Sequence, residues 1–152
     1  MANLSHLITR AQSLCEQRGV RMTTQRGRVY EIIIQSKRAI SAYDLLDKLR
    51  ETEPQAKPPT VYRALDFLLS QGFVHKVEST NSFIACCHLG HEPHCSQLLI
   101  CDSCGTVEEC HADALSDALQ ERAHQVGFKV INHVVETHGT CHTCQVATQK
   151  MQ

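Results

Sequence analysis

The run Pro59-Thr60-Val61-Tyr62-Arg63-Ala64-Leu65-Asp66-Phe67-Leu68-Leu69-Ser70-Gln71-Gly72-Phe73-Val74-His75-Lys76 decides the fold of the first half of this chain. Val61, Ala64, Leu65 and Leu68 recur at helical spacing, Pro59-Thr60 suits a helix start, and Gly72 tolerates the left-handed backbone that closes one. Residues 73–79 and 82–86 then predict two short strands around a turn at Thr80-Asn81. Upstream, Ser41-Ala42-Tyr43-Asp44 is a capping box with Asp in the usual Glu place, ahead of Leu45, Leu46 and Leu49, and residues 52–58 break that helix. Thr23 or Thr24 caps an earlier helix that reaches about Gln35 and buries Val29, Ile32 and Ile33. Residues 1–14 carry Leu4, Leu7, Ile8, Ala11 and Leu14 at amphipathic helical spacing, interrupted by His6 and Arg10, unlike the core of an export signal. Short helices followed by a β-hairpin predict a winged helix-turn-helix over residues 1–80.

In that motif the second helix enters the major groove with its N-terminal residues against base edges. Val61 and Ala64 face the core, so Thr60, Tyr62 and Arg63 turn outward. Arg63 has the chemistry to make two hydrogen bonds to guanine, worth ~1–3 kcal/mol of base discrimination. Tyr62 and Tyr43 suit a thymine methyl or a phosphate, and Lys57 and Lys76 suit phosphates, which position without specifying. The charge distribution agrees: residues 1–80 carry a net +4 and residues 81–152 a net −5, which the overall −1 conceals. A front half at only +4 is a modest footprint for a polyanion, so two subunits on one palindromic site are expected.

The back half has the composition of a metal protein. Of nine cysteines only Cys15 lies before residue 80, and eight of ten histidines lie after it. Cys101-Asp102-Ser103-Cys104 and Cys141-His142-Thr143-Cys144 deliver four thiolates two by two, which is what a closed tetrahedral zinc site requires. The 36 residues between the pairs (105–140) exceed the spacer of a small zinc ribbon, so the metal is expected to staple segments remote in sequence. A redox role is disfavoured, because a thioredoxin-like pair opens a helix after a strand whereas Cys141 follows a glycine-containing stretch near the chain end. With no export signal and no apolar run near the ~20 residues that span a bilayer, the chain is expected to be cytoplasmic, where thiols stay reduced. Residues 97–101 and 106–109 predict a strand pair, 112–126 a helix with Leu115, Leu119, Ala123 and Val126 on one face, and 128–137 a further strand. The fold class is therefore α+β, a winged-helix domain (1–80), a hinge (81–86) and a small zinc-stapled α/β domain (87–152). Its short sheet with an exposed edge favours a homodimer.

Cys86, Cys87, Cys95 and Cys110 remain, amid His75, His88, His91, His94, His111 and Glu109, and this density predicts a second metal site at the junction of the halves. A mixed thiolate, imidazole and carboxylate set suits zinc better than ferrous iron.

Ile40-Ser41-Ala42-Tyr43-Asp44-Leu45-Leu46, Pro59-Thr60-Val61-Tyr62-Arg63-Ala64-Leu65, Gly72-Phe73-Val74-His75-Lys76 and Cys101-Asp102-Ser103-Cys104-Gly105 resemble the ferric-uptake-regulator family, and its zinc-responsive branch in particular, over about residues 4–146. The resemblance implies a dimeric, zinc-dependent repressor of zinc-import genes that binds palindromic, AT-rich operator DNA and carries two Zn2+ per subunit. It places the structural zinc on Cys101, Cys104, Cys141 and Cys144 and the sensory zinc on His75, Cys86, His94 and Glu109. It also matches Tyr43 and Arg63 to base-contacting positions. Cys87 adjoins Cys86 where relatives show one cysteine, and Glu108 adjoins Glu109 but should face the other way along a strand. An iron or peroxide sensor of the same family is the nearest rival, disfavoured by the thiolate. A zinc enzyme is disfavoured because His91-Glu92-Pro93-His94 misses HExxH spacing and no HxE precedes a PCxxC. A mere interaction module leaves Arg63 without a purpose.

Overall fold

The structure, a computed structural model, describes residues 4–36, 38–90, 96–111, 113–131 and 133–149. Its contacts divide the chain into two compact units, Met1–His91 and Glu92–Gln152.

The first unit begins with α1 (Leu4–Gln17), which buries Leu7, Ala11, Leu14 and Cys15. Helix α2 (Thr24–Gln35) starts where Thr23, in extended conformation, accepts a hydrogen bond from the Arg26 N–H at 3.3 Å. It buries Val29, Tyr30 and Ile33, whereas Ile32, expected in the core, is only partly covered. The Ser41 hydroxyl caps α3 (Ala42–Thr52) by accepting from Asp44 N–H at 3.1 Å and donating to the Asp44 carboxylate at 2.7 Å. Leu45, Leu46 and Leu49 are buried as their spacing predicts. Helix α4 (Pro58–Ser70) opens one residue earlier than expected, with prolines where a missing N–H costs nothing, and buries Val61, Ala64, Leu65 and Leu68. It ends at Gly72, φ +71°, where Gly72 N–H donates to Leu69 O and Phe73 N–H to Leu68 O, capping the last carbonyls.

A three-stranded sheet completes this unit in the order β1 (Ile40–Ser41), β3 (Ser82–Ala85), β2 (Val74–Val77), antiparallel throughout. The hairpin strands are shorter than residues 73–79 and 82–86, because Glu78–Thr80 coils into a 3-10 turn and Asn81 takes φ +48°. Segment 81–86, expected as a hinge, is instead largely β3, paired on both sides with β1 and β2. The winged helix-turn-helix is thus complete in its β-sheet only beyond residue 80.

The second unit is a sheet in the order β5 (Val107–Cys110), β4 (Ser96–Cys101), β6 (Val134–Gly139), with β4–β5 antiparallel and β4–β6 parallel. Helix α5 (Asp113–Gln125) lies between β5 and β6 in sequence, and α6 (His142–Gln149) follows β6. Strand β6 is shorter than the expected 128–137, because β4 pairs only from Val134 onward and, among the described residues, no strand lies opposite the earlier ones. The apolar face of α5 has the predicted spacing, yet none of its residues is buried within one chain. Leu115, Leu119, Val126, Phe128, Ile131 and Val134 are all exposed. Both units together make an α+β protein, and no helix among the described residues is long and apolar enough to cross a membrane.

Candidate metal centre and nucleic-acid interface

The topology of the second unit explains how two distant CxxC pairs meet. Parallel pairing places Cys101, the last residue of β4, level with Gly139, the last of β6, so both pairs follow neighbouring strands at the same end of the sheet. Asp102 N–H donates to Gly139 O at 2.9 Å, and a tight turn with Gly105 at φ +72° brings Cys104 back. Sulfurs of Cys101, Cys104, Cys141 and Cys144 all lie within 4.8 Å of one another, and Cys104 and Cys141 are 3.7 Å apart. Zinc–sulfur bonds of about 2.3 Å give a tetrahedron with edges of about 3.8 Å, so this spacing fits the ion. Cys141 follows a strand and precedes α6, so the argument that set this pair apart from a thioredoxin-like one fails on its local geometry. Convergence of both pairs is what favours metal.

Backbone polar groups prepare the thiolates. Cys141 N–H donates to Cys101 Sγ at 3.3 Å, and this bond, with a further N–H from Cys104, lowers the Cys101 thiol to about 6. Thr106, with Oγ1 3.1 Å from Cys104 Sγ, lowers Cys104 in the same way. Cys144 is pushed up to about 12, because its proton is held between neighbouring sulfurs, Cys141 first among them. Four thiolates this close repel one another, and a divalent cation lets all four ionise together. None of these N–H···S contacts is visible in a spacing pattern.

Of the expected sensory ligands, the first unit holds two. His75 on β2 is 8% exposed and Cys86, just after β3, is fully buried, with their ligand atoms within 4.8 Å. Cys86 N–H donates to Phe73 O at 2.9 Å and its sulfur accepts from His88 N–H at 3.3 Å. Cys87 is exposed, which favours Cys86 of the adjacent pair as the ligand. In the second unit Glu109 on β5 stands opposite Leu98 and is half-buried, while Glu108 faces the other side and is exposed. A carboxylate oxygen of Glu109 lies within 4.8 Å of a ring nitrogen of His111. His94, together with His91 and Cys95, lies outside the described residues.

The expected DNA-reading residues sit at the start of α3 and α4. Tyr43 and Tyr62 are 73% and 56% exposed, unusual for tyrosines with no structural duty. Arg63 and Lys57 are exposed and Thr60 is half-buried. Lys76 differs from expectation, since its ammonium already donates to Glu78 at 2.9 Å within the wing.

A winged helix with aromatic and cationic side chains exposed on its second helix, in one chain with a four-thiol metal centre, defines a metal-binding winged-helix protein. The sequence profile of the Ferric uptake regulator family matches residues 17–138, and the chain belongs to that family. The Zinc uptake regulation protein of Escherichia coli (strain K12) is 55% identical over 139 residues, 91% of this chain and 81% of its own length. A solved structure of a Zinc Uptake Regulator Complexed With Zinc and DNA has 49% identity and a TM-score of 0.94, covering 98% of this chain and 99% of its own. More distant is the Peroxide operon regulator of Bacillus subtilis (strain 168), 29% identical over 92% of this chain and 94% of its own length.

Proposed function

We propose that this protein is a zinc-responsive transcriptional repressor that, zinc-loaded and dimeric, binds palindromic, AT-rich operator DNA and shuts down zinc-uptake genes. The observation that carries the reading is the coexistence of two chemically distinct sets of candidate ligands: four converging thiols in the second unit, and a buried imidazole and thiol, His75 and Cys86, at the wing. The similarity to the Zinc uptake regulation protein of Escherichia coli far exceeds that to the peroxide regulator, which supports zinc over iron or peroxide as the signal. The thiolate of Cys86 argues the same way, since ferrous sensing favours nitrogen and oxygen ligands.

Cys101, Cys104, Cys141 and Cys144 hold the structural zinc, whose binding free energy is part of the folding free energy of a unit with few buried side chains. His75, Cys86, His94 and Glu109 hold the sensory zinc, making two per subunit. Because this set is drawn from both halves of the sequence, its occupancy couples to the DNA-binding form of the dimer. Tyr43, Thr60, Tyr62 and Arg63 meet the operator bases, with Lys57 and, more weakly, Lys76 on phosphates. The exposed apolar residues of α5 and of 126–134 form the surface covered by the second subunit. The protein works in the cytoplasm, away from membranes, and no catalytic reaction is assigned to it.

A gel shift on AT-rich palindromic DNA tests this reading. Retardation is expected with zinc, and its loss with iron alone or a chelator. Binding that ignores zinc would contradict it.

A further inference from the structure

Helices α2 and α3 each begin on a side-chain cap, but α4, which carries Thr60, Tyr62 and Arg63, does not: Lys57 at its N-cap makes no side-chain hydrogen bond. Its entry is rigid for another reason. Pro58 and Pro59 fix φ in the first turn, and a residue before proline is confined to extended backbone, as Lys57 is at φ −116° and ψ 158°. Wherever the preceding turn sits, α4 must follow. That turn, residues 53–57, is held from two sides. Glu53 N–H donates to Leu49 O at 2.8 Å and Ala56 N–H to Glu53 O at 2.9 Å, while Arg50 Nε reaches Ala56 O at 3.0 Å and Ala56 is buried. From α2, Arg28 pairs with one Glu53 carboxylate oxygen, and the Gln25 amide donates to the other at 3.4 Å. The Glu53 side chain is left 18% exposed, low for a residue type that is rarely covered.

We propose that Glu53 is a positioning residue for operator readout: gripped by Arg28 and Gln25 of α2, it anchors the turn ahead of α4 and so sets where Thr60, Tyr62 and Arg63 meet the bases. This rests on the reading of α4 as the helix that enters the groove. A partly exposed ion pair adds little to stability, and a carboxylate a few residues ahead of a DNA-reading helix repels phosphate. Placement of the turn is what its contacts supply. Hydrogen bonds to base edges weaken steeply with misalignment, whereas attraction to phosphates tolerates it. Loosening the turn therefore costs cognate binding and spares binding to unrelated sequence.

Glu53→Gln keeps the shape of the side chain and removes its charge. In the full-length, zinc-loaded protein, fluorescence anisotropy on the AT-rich palindrome and on an unrelated duplex of equal length reads the ratio of the two affinities. That ratio should fall by about 2–30-fold, the range for substitutions that modulate binding without touching the ligand. Affinity for the unrelated duplex should hold or rise, since Arg28 is freed and a negative charge is gone. Exchanging the pair, Arg28→Glu with Glu53→Arg, keeps the net charge and should return the ratio toward the wild-type value. An unchanged ratio in Glu53→Gln would overturn the inference. So would an equal loss on both duplexes, the mark of general damage, or an exchanged pair that stays at the Glu53→Gln level. Arg63→Ala in the same assay tests the reading beneath it. If Arg63→Ala lowers the ratio and Glu53→Gln does not, only the Glu53 inference fails, whereas a wild-type ratio in Arg63→Ala would refute base readout by α4 itself.

Discussion

Several arginines of the first unit are engaged by the protein. Arg18 donates to Gln71 O at 2.8 Å and Arg50 Nε to Ala56 O at 3.0 Å. The Arg26 guanidinium lies 3.9 Å from the Phe67 ring centroid, and Arg28 pairs with Glu53. Arg63, by contrast, has no ion-pair or hydrogen-bond partner among the described residues. Its exposed position in the first turns of α4 is the one the proposed function gives to base readout. Arg63→Ala should cost about 1–3 kcal/mol per half-site on the cognate operator and relax specificity there. Lys57→Ala should weaken cognate and unrelated duplexes alike and reduce the salt slope by about 1. Fluorescence anisotropy across a salt series separates the two effects.

At the scale of elements, what was legible in the sequence is what local chemistry controls. Thr23, Ser41 and Gly72 end or begin helices through side-chain caps and a positive φ, and all three act as their positions predict. Gly72 has nothing within 4 Å of an added Cβ, so Gly72→Ala tests the backbone alone. It should destabilise the protein by about 1–2 kcal/mol, measured by denaturant unfolding, with Gly72→Asn milder. Elements that depend on distant partners were less visible. Strand β1 is two residues long and shows no period, yet it pairs with Phe83 and Ser82. The β-branched run before Val134 has strand composition but no partner strand among the described residues. The site divides in the same manner: the four-cysteine centre shows in its spacing, whereas His75 sits in a Val-His-Lys-Val strand that any buried histidine could occupy, and only family resemblance singles it out.

For the whole molecule, the charge asymmetry seen in the sequence matches a division of labour between units. The first buries a continuous core of helices and sheet without help, including Tyr30, Ile33, Leu45, Leu65 and Phe73. The second buries Leu98, Ile100, Cys101 and Gln97 but leaves the apolar face of α5 exposed, which fits the metal and the second copy of the proposed function. In the function proposed above, the cysteine pairs that first mark the protein as metal-binding are its structural part, and the zinc response resides with His75 and its partners. By linkage, the factor by which sensory zinc tightens operator binding equals the factor by which operator tightens zinc, typically about 5–150-fold. The most direct test is operator affinity as a function of free zinc, for the wild type and His75→Ala, alongside zinc content. Wild-type affinity should rise by a factor in that range, and the variant should stay at the low level while keeping its four-cysteine zinc and its dimer. A His75→Ala protein that tightens on the operator as much as the wild type, or a wild type indifferent to zinc, would contradict the account.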